Sequence, residues 1–550
     1  MELSVWYNLG DMAECVKIGA QHWLCQLGDR IVCSNEVTQA TYAYCSATTP
    51  LADIRPERSH AVPVSTGVVI VLYLLAMAAL GFAFMRRQKT SDDYFRGGGR
   101  LPWWAVSLSI YATMFSSITF ISIPAWSYLT DCKYLIISLS VLLLAPLVVK
   151  KYLPFFRRAN LTSAYEYLEG RYNADCRYFA SGVFILFMIA KAAIVTYLPA
   201  VAIAAVTGFD VNLSIVLVTL LTVFYCAVGG IEAVVWGDFV QSIVLFVGTF
   251  VVFAFLIAGT DGGFAGYVSA GLAGGKFALF ESSLDWSRPV FWVLLIGGLV
   301  NNLASYTSDQ SVVQRYITTK DERGAAKSIY LNGFLSFFNV IVFFALGVAL
   351  WTFFKSHPAA LDITMPKNDS VLPLFIADNL PGWASGLIFA AVAAATMSTL
   401  SSNVNSAATA FVVDFYAKIR RNVSDADKLT WGRWATVAFG LLGGVAALGL
   451  ANAELKSAYD CFQLVLGTFT SGLSCLFFMG IFMPFVNGRG AFAGLVSDYA
   501  VCVALNFLPI SGKPHILFYG AIGMAVCLVT ASLVSFLTRD IQEAKGKYKR

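Results

Sequence analysis

Stretches of about twenty or more mostly apolar residues recur from residue 65 to residue 537, each long enough to cross ~30 Å of hydrocarbon as a helix. Lipid offers no partner to a free N–H or C=O, so such stretches must close their hydrogen bonds internally. The runs fall at about 65–85, 103–128, 134–153, 177–206, 211–228, 232–258, 289–312, 329–353, 383–412, 431–451, 459–484, 490–509 and 516–537. They predict an all-α polytopic membrane protein of about thirteen transmembrane helices. Composition agrees, with 58% hydrophobic and only 13% charged residues, about half the charge of soluble domains. A soluble enzyme, a disordered chain and a nucleic-acid binder are excluded together.

The net charge of +5 becomes informative once the charges are placed. Basic residues cluster after the first span (Arg86, Arg87, Lys89, Arg96, Arg100), the third (Lys150, Lys151, Arg157, Arg158, Arg171), the seventh (Arg315, Lys320, Arg323, Lys327) and the ninth (Lys418, Arg420, Arg421, Lys428). Because Lys and Arg gather on the cytoplasmic side, the expected N-terminus is outside and the C-terminus cytoplasmic, in a plasma or inner membrane. Residues 1–61 form a polar extracellular or periplasmic tail without a signal-peptide pattern, residues 62–538 the membrane domain, and 539–550 a basic cytoplasmic tail. Cys15, Cys25, Cys33 and Cys45 lie in the outer tail, where two disulfides or a disordered tail with free thiols are both open. All four histidines (His22, His60, His357, His515) lie outside the apolar runs, so no histidine proton relay is available inside the membrane.

A few polar residues do lie within the spans. Asp238 sits about seven residues into the sixth, in GGIEAVVWGDFVQ. An intramembrane acid marks function unless it is solvated or paired, and Glu232 already takes the interfacial position. Ser398, Thr399, Ser401 and Ser402 stand in the ninth span, in AAATMSTLSSNVNS; Ser398, Ser401 and Ser402 share one helical face. Hydroxyls with one carboxylate suit a hard monovalent cation, although serines in such helices also bond their own backbone. The Ser/Thr-rich stretch Ala112–Thr119 in the second span reads as a helix break, which would free carbonyls near the midplane. Gly297, Gly298, Asn301 and Asn302 make the seventh span irregular.

Lys191 is mid-span in the fourth helix, ~20 Å from either interface and beyond snorkelling reach. It requires an anion: Asp238, Asp309 or the carboxylate of a substrate. The loop Arg96-Gly-Gly-Gly-Arg100 lacks the GK[ST] of a phosphate loop, and no GxSxG or HExxH motif is present, so nothing points to an enzyme.

The segments KTSDDYFRGGGRLP (89–102), SSITFISIPA (116–125), TSAYEYLEGRY (162–172), GGIEAVVWGDFVQ (229–241), DQSVVQRYITT (309–319) and the Ser-rich stretch 390–406 resemble the sodium:solute symporter family, most closely its bacterial sialic-acid branch. The resemblance implies a LeuT-like core of two inverted five-helix repeats, one extra helix before it and two after. The second and seventh spans would be the discontinuous ones. Carried over by motif, the main sodium site falls on the carbonyls of Ala112, Phe115 and Ala395 and the hydroxyls of Ser398 and Thr399. A second falls on Asp238, Ser398, Ser401 and Ser402. In the substrate pocket Ser116 and Thr119 match the branch, whereas Lys191 replaces a carboxylate-clamping Arg; Met114 and Ser138 stand where that branch has Thr and Gln. A point charge keeps the sign and loses the bidentate fit.

The expected function is therefore sodium-coupled import of a small organic solute by alternating access, with sialic acid or a related sugar acid the leading substrate. A neutral sugar or other small solute is the alternative, and a transporter-like sensor or channel the reading from a different class. Sodium is the coupling ion and no organic cofactor is implied. The bilayer, the solute and sodium are the expected partners; no partner protein is indicated.

Overall fold

The computed structural model describes residues 63–538, apart from 159–160, 358–359, 361–369, 421, 454–457 and 509–511, and the backbone of three short strands ahead of them. The strands β1 (Glu14–Gly19), β2 (His22–Leu27) and β3 (Arg30–Asn35) form an antiparallel sheet in sequence order. Cys15 lies opposite Cys25, and Leu24 opposite Cys33. The pairing of the tail cysteines lies outside the described residues, as do Cys45 and the segment 539–550.

The membrane domain opens with α1 (Val64–Met85), α2 (Ser91–Arg96), α3 (Trp103–Met114), α4 (Ser117–Leu129) and α5 (Leu135–Leu147). Then follow α6 (Leu153–Arg158), α7 (Glu166–Arg171), α8 (Ala174–Thr207), α9 (Val211–Gly259), α10 (Gly263–Ala273), α11 (Phe291–Thr307) and α12 (Gln310–Thr318). The chain ends with α13 (Glu322–Ser356), α14 (Val371–Asn379), α15 (Gly382–Ala410), α16 (Ala417–Ile419), α17 (Asp425–Ala451), α18 (Ala458–Phe482), α19 (Gly488–Phe507) and α20 (Tyr519–Thr538).

Among the described residues nine helices are long and apolar enough to span, and the bent pair α3–α4 makes a tenth. The 49 residues of α9 would reach ~74 Å as one rod, more than twice the hydrocarbon thickness, so α9 holds two crossings. They divide at Gly230, whose φ of 56° and ψ of −157° interrupt the helix. A Cβ there would lie 2.9 Å from the carbonyl of Tyr94, so the turn needs glycine. With α11 and α18 the crossings reach the thirteen expected.

Two crossings are interrupted, five spans apart, as two five-helix repeats require. The first break separates α3 from α4 with a bend of 59°; Phe115 and Ser116 take extended backbone there. Phe115 is held by stacking on Tyr111 at 4.7 Å between centroids and by Phe343 at 6.1 Å. The second break falls at Ser308–Asp309, between α11 and α12, and not at the Gly and Asn residues that made this span look irregular. Those residues make contacts instead. A Cβ on Gly297 would lie 2.4 Å from the Leu517 carbonyl, and one on Gly298 3.2 Å from Ile137. Asn302 donates to Ser140 Oγ at 2.8 Å.

Lipid tails are as apolar as leucine, so these helices associate by close packing of small residues. Gly386 of α15 meets the Thr66 backbone of α1, Gly248 of α9 meets Ala391 of α15, and Gly347 of α13 meets the Pro124 carbonyl of α4. At the basic end, buried Asp414 accepts from Ser163 Oγ (2.7 Å), Ser181 Oγ (2.8 Å) and Arg177 Nε (2.9 Å). Arg177 also pairs with Glu169 at 2.6 Å. The network fastens the turn after α15 to α7 and α8.

Close packing at Gly347 is testable. A Cβ there would fall 2.4 Å from the Pro124 carbonyl, whereas one on Gly449 meets nothing within 4 Å. Gly347→Ala is expected to destabilise the protein by about 1–3 kcal/mol through overpacking, and Gly449→Ala to leave it unchanged, as read by thermal unfolding in detergent.

Candidate functional site

The polar residues singled out in the sequence converge where α3, α9, α12 and α15 meet beside the first helix break. Ser398 and Thr399 lie on α15 and are fully buried. Ser398 Oγ donates to the carbonyls of Ala112 and Ala395, each at 3.1 Å, and Thr399 Oγ1 to Ala395 at 3.1 Å. Four of the five oxygens of the expected main cation site are thus linked in one knot. The fifth residue, Phe115, is the point at which α3 leaves helical geometry. Neutral hydroxyl and carbonyl oxygens gathered in this way offer lone pairs to a small hard cation.

The expected second site is only partly assembled. Asp238 has no solvent exposure, and its Oδ2 accepts from Ser109 Oγ at 2.5 Å. Its counter-ion is Arg315, whose Nη2 lies 2.9 Å away with both side chains fully buried. The same guanidinium donates to Ser109 Oγ at 2.6 Å through Nε, to Ser402 Oγ at 2.5 Å through Nη2, and to the Ser311 carbonyl. Ser402 also shares a 2.9 Å hydrogen bond with Thr113. Asp238 and Ser402 are therefore brought together, through Arg315. Ser398 and Ser401 do not bond Asp238; Ser401 Oγ donates to the Ser398 carbonyl at 3.0 Å. Asp238 Oδ1 is buried and receives no donor among the described residues.

Sequence reasoning placed Arg315 among loop basics because it follows the seventh span. In the fold the segment continues as α12, in which all nine residues are buried, so Arg315 points into protein rather than water. Ser109 and Thr113 were also missed. The available signal was their spacing of four on α3, which places both on the face that carries Asp238's partners. Buried Asp414 and Asp498 went unremarked too.

On the substrate side, Ser116 and Thr119 stand together at the first break, with their hydroxyls 3.5 Å apart. Ser117 Oγ donates to the Val195 carbonyl at 3.0 Å, which ties the break to α8 one turn from Lys191. Lys191 is 8% exposed, and its anion is Asp309, with Nζ to Oδ2 3.8 Å. Asp309 caps α12 and accepts from Ser311 N (2.8 Å) and Oγ (2.5 Å). Of the two protein carboxylates open to Lys191, the one within reach is Asp309, at the second break. The Ser138 hydroxyl donates to the Leu135 carbonyl of its own helix at 2.6 Å. Met114 Sδ takes a 3.6 Å contact from Asn332 Nδ2.

Known proteins match this architecture along most of the chain. The pattern of the sodium:solute symporter family covers residues 94–497. The sodium/sialic acid symporter NanT of Aliivibrio fischeri is 36% identical over 472 residues, covering 85% of this chain and 92% of that protein. The human sodium-coupled monocarboxylate transporter 1 is 32% identical over 448 residues, 79% of this chain and 72% of its own. A solved structure of a Na+-coupled sialic acid symporter, described as substrate-bound and outward-open, superposes with a TM-score of 0.80 at 34% identity, covering 86% of this chain and 98% of that one. With its two broken crossings five spans apart and a match across most of its length, this chain belongs to the sodium:solute symporter family.

Proposed function

We propose that this protein is a sodium-coupled symporter of a small organic anion, with sialic acid or a related sugar acid as the substrate. The observation that carries the reading is the knot of Ala112, Ala395, Ser398 and Thr399 oxygens across the broken α3–α4 crossing. Sodium there, with the Phe115 carbonyl completing the set, would bridge α3 to α15. A second sodium on Asp238 with Ser398, Ser401 and Ser402 would act on the same two helices through the shared Ser398. Ordering the break raises affinity for solute bound beside Ser116, Thr119 and Ser138, through a coupling free energy of ~1–3 kcal/mol. Lys191 supplies positive charge for a carboxylate. The basic clusters support an N-terminus outside and a C-terminus in the cytoplasm, the orientation in which an inward sodium gradient would drive import.

A neutral solute is favoured by one specific observation. Lys191 already has Asp309 at 3.8 Å, and a neutral sugar would leave that pair intact. Proteoliposome uptake of sialic acid, hexoses and monocarboxylates, with sodium or choline outside, separates the two readings. Accumulation of the acid only down a sodium gradient is expected. Current without any solute would instead indicate a channel.

Two substitutions sharpen the test. Ser398→Ala removes a hydroxyl common to both sodium sets, and sodium-driven uptake is expected to fall about tenfold or more; uptake at the wild-type level would sink the assignment. Lys191→Ala is expected to raise the half-saturating concentration of an anionic substrate by on the order of tenfold, the worth of one charged hydrogen bond, and to leave a neutral one nearly unchanged. Equal effects on both would mean that Lys191 serves Asp309 alone.

A further inference from the structure

The buried helix α12 and its N-cap carry two opposite charges to two different helices. At its N-cap, Asp309 faces Lys191 of α8 at 3.8 Å. Near its other end, Arg315 pairs with Asp238 of α9 at 2.9 Å. Asp309 and Arg315 are six residues apart, which puts them on different faces of the helix, so neither can neutralise the other. Removing either external partner would therefore leave a buried, unpaired charge, the arrangement that proteins tolerate least.

Both partners are also the groups that the proposed cargo would use. Arg315 holds Asp238 Oδ2 and Ser402 Oγ, two oxygens of the second sodium set, while Asp238 Oδ1 is buried and unbonded by any described residue. A sodium ion drawing on Asp238 and Ser402 competes with the guanidinium for the same carboxylate charge and hydroxyl lone pairs. The Lys191–Asp309 contact, at 3.8 Å, is well beyond the ~2.7–2.9 Å of a charge-assisted hydrogen bond. A carboxylate arriving at hydrogen-bond distance would displace it.

We propose that α12 is a two-key latch: sodium replaces Arg315 on Asp238, the substrate carboxylate replaces Asp309 on Lys191, and only both exchanges together free the helix. Sodium alone strands Arg315 unless α12 moves, and movement then strands Lys191. The substrate alone strands Asp309 and, on movement, Asp238. With both bound, every charge left in the membrane is paired, and the two released charges pass to the basic end of the bundle. Among the described residues α12 is held there by hydrogen bonds, Leu101 N to the Thr318 carbonyl at 3.0 Å, Arg157 Nη1 to the Tyr316 and Thr319 carbonyls at 3.2 and 2.9 Å, and Gln314 Nε2 to the Phe95 carbonyl at 2.6 Å. Arg315 and Asp309 are thus positioning residues for coupling. The latch rests on the sodium-symport reading and adds to it the reason why neither ion nor solute crosses alone.

The test uses the full chain, with 22Na+ binding in detergent and 22Na+ flux in proteoliposomes, both without organic solute. Arg315→Gln removes the resident cation, so the half-saturating sodium concentration is expected to fall by on the order of tenfold; Arg315→Lys should lie between that and wild type. Arg315→Gln combined with Asp309→Asn removes both keys, and substrate-free sodium flux, expected to be absent in the wild type, should appear. Unchanged or weaker sodium binding in Arg315→Gln, or unchanged binding in Arg315→Lys where the Gln variant does not fold, overturns the latch. So does a double variant whose sodium flux still requires solute. A wild-type protein without sodium-stimulated uptake would overturn the symport reading and the latch together, whereas a sodium-driven wild type with unaltered variants overturns the latch alone.

Discussion

Interrupting a helix inside hydrocarbon exposes amides and carbonyls that lipid cannot satisfy, and this bundle is arranged around two such interruptions. At Phe115–Ser116 the break is enclosed by the aromatic rings of Tyr111 and Phe343 and by the hydroxyl face of α15. At Ser308–Asp309 the side chain of Asp309 caps the next helix, and Tyr165 donates to the Ser308 carbonyl at 2.7 Å. Each break is stable because protein rather than lipid surrounds it. The same enclosure concentrates oxygen atoms where a desolvated cation needs them.

Charge follows the same logic. A buried ion gains little from its partner beyond offsetting its own desolvation, so intramembrane ion pairs are poor devices for stability and well suited to specificity and switching. Asp238 and Arg315, with no exposure at all, and Lys191 and Asp309, nearly as buried, link the second broken crossing to α9 and α8. Their placement makes the local charge balance depend on what else is bound. The Asp414–Arg177–Glu169 network differs in position and role: it lies at the basic end and holds the end of α15 to α7 and α8.

Much of this was legible from sequence because hydropathy is a local property. The thirteen crossings, the break within Ala112–Thr119 and the hydroxyl face at Ser398–Ser402 each follow from neighbouring residues. The position of the second break shows where local reading stops. Gly297, Gly298, Asn301 and Asn302 signalled a disturbed helix, yet small and amide side chains serve equally well in close contacts, and α11 runs unbroken through them to meet Leu517, Ile137 and Ser140. Arg315 was misread for a related reason: a base after an apolar run looks solvated until the chain is seen to continue as a buried helix.

The sequence alone therefore determined the solvent of this protein, the number of its crossings and the residues able to offer oxygen or charge within them. Those properties depend on composition over spans of about twenty residues. Tertiary structure decided the partners. Asp238 meets Arg315 across 77 positions of chain, and Ser398 meets the Ala112 carbonyl across 286. No local pattern encodes such a pairing, because it arises only when packed helices leave one acid within reach of one base and exclude water from both.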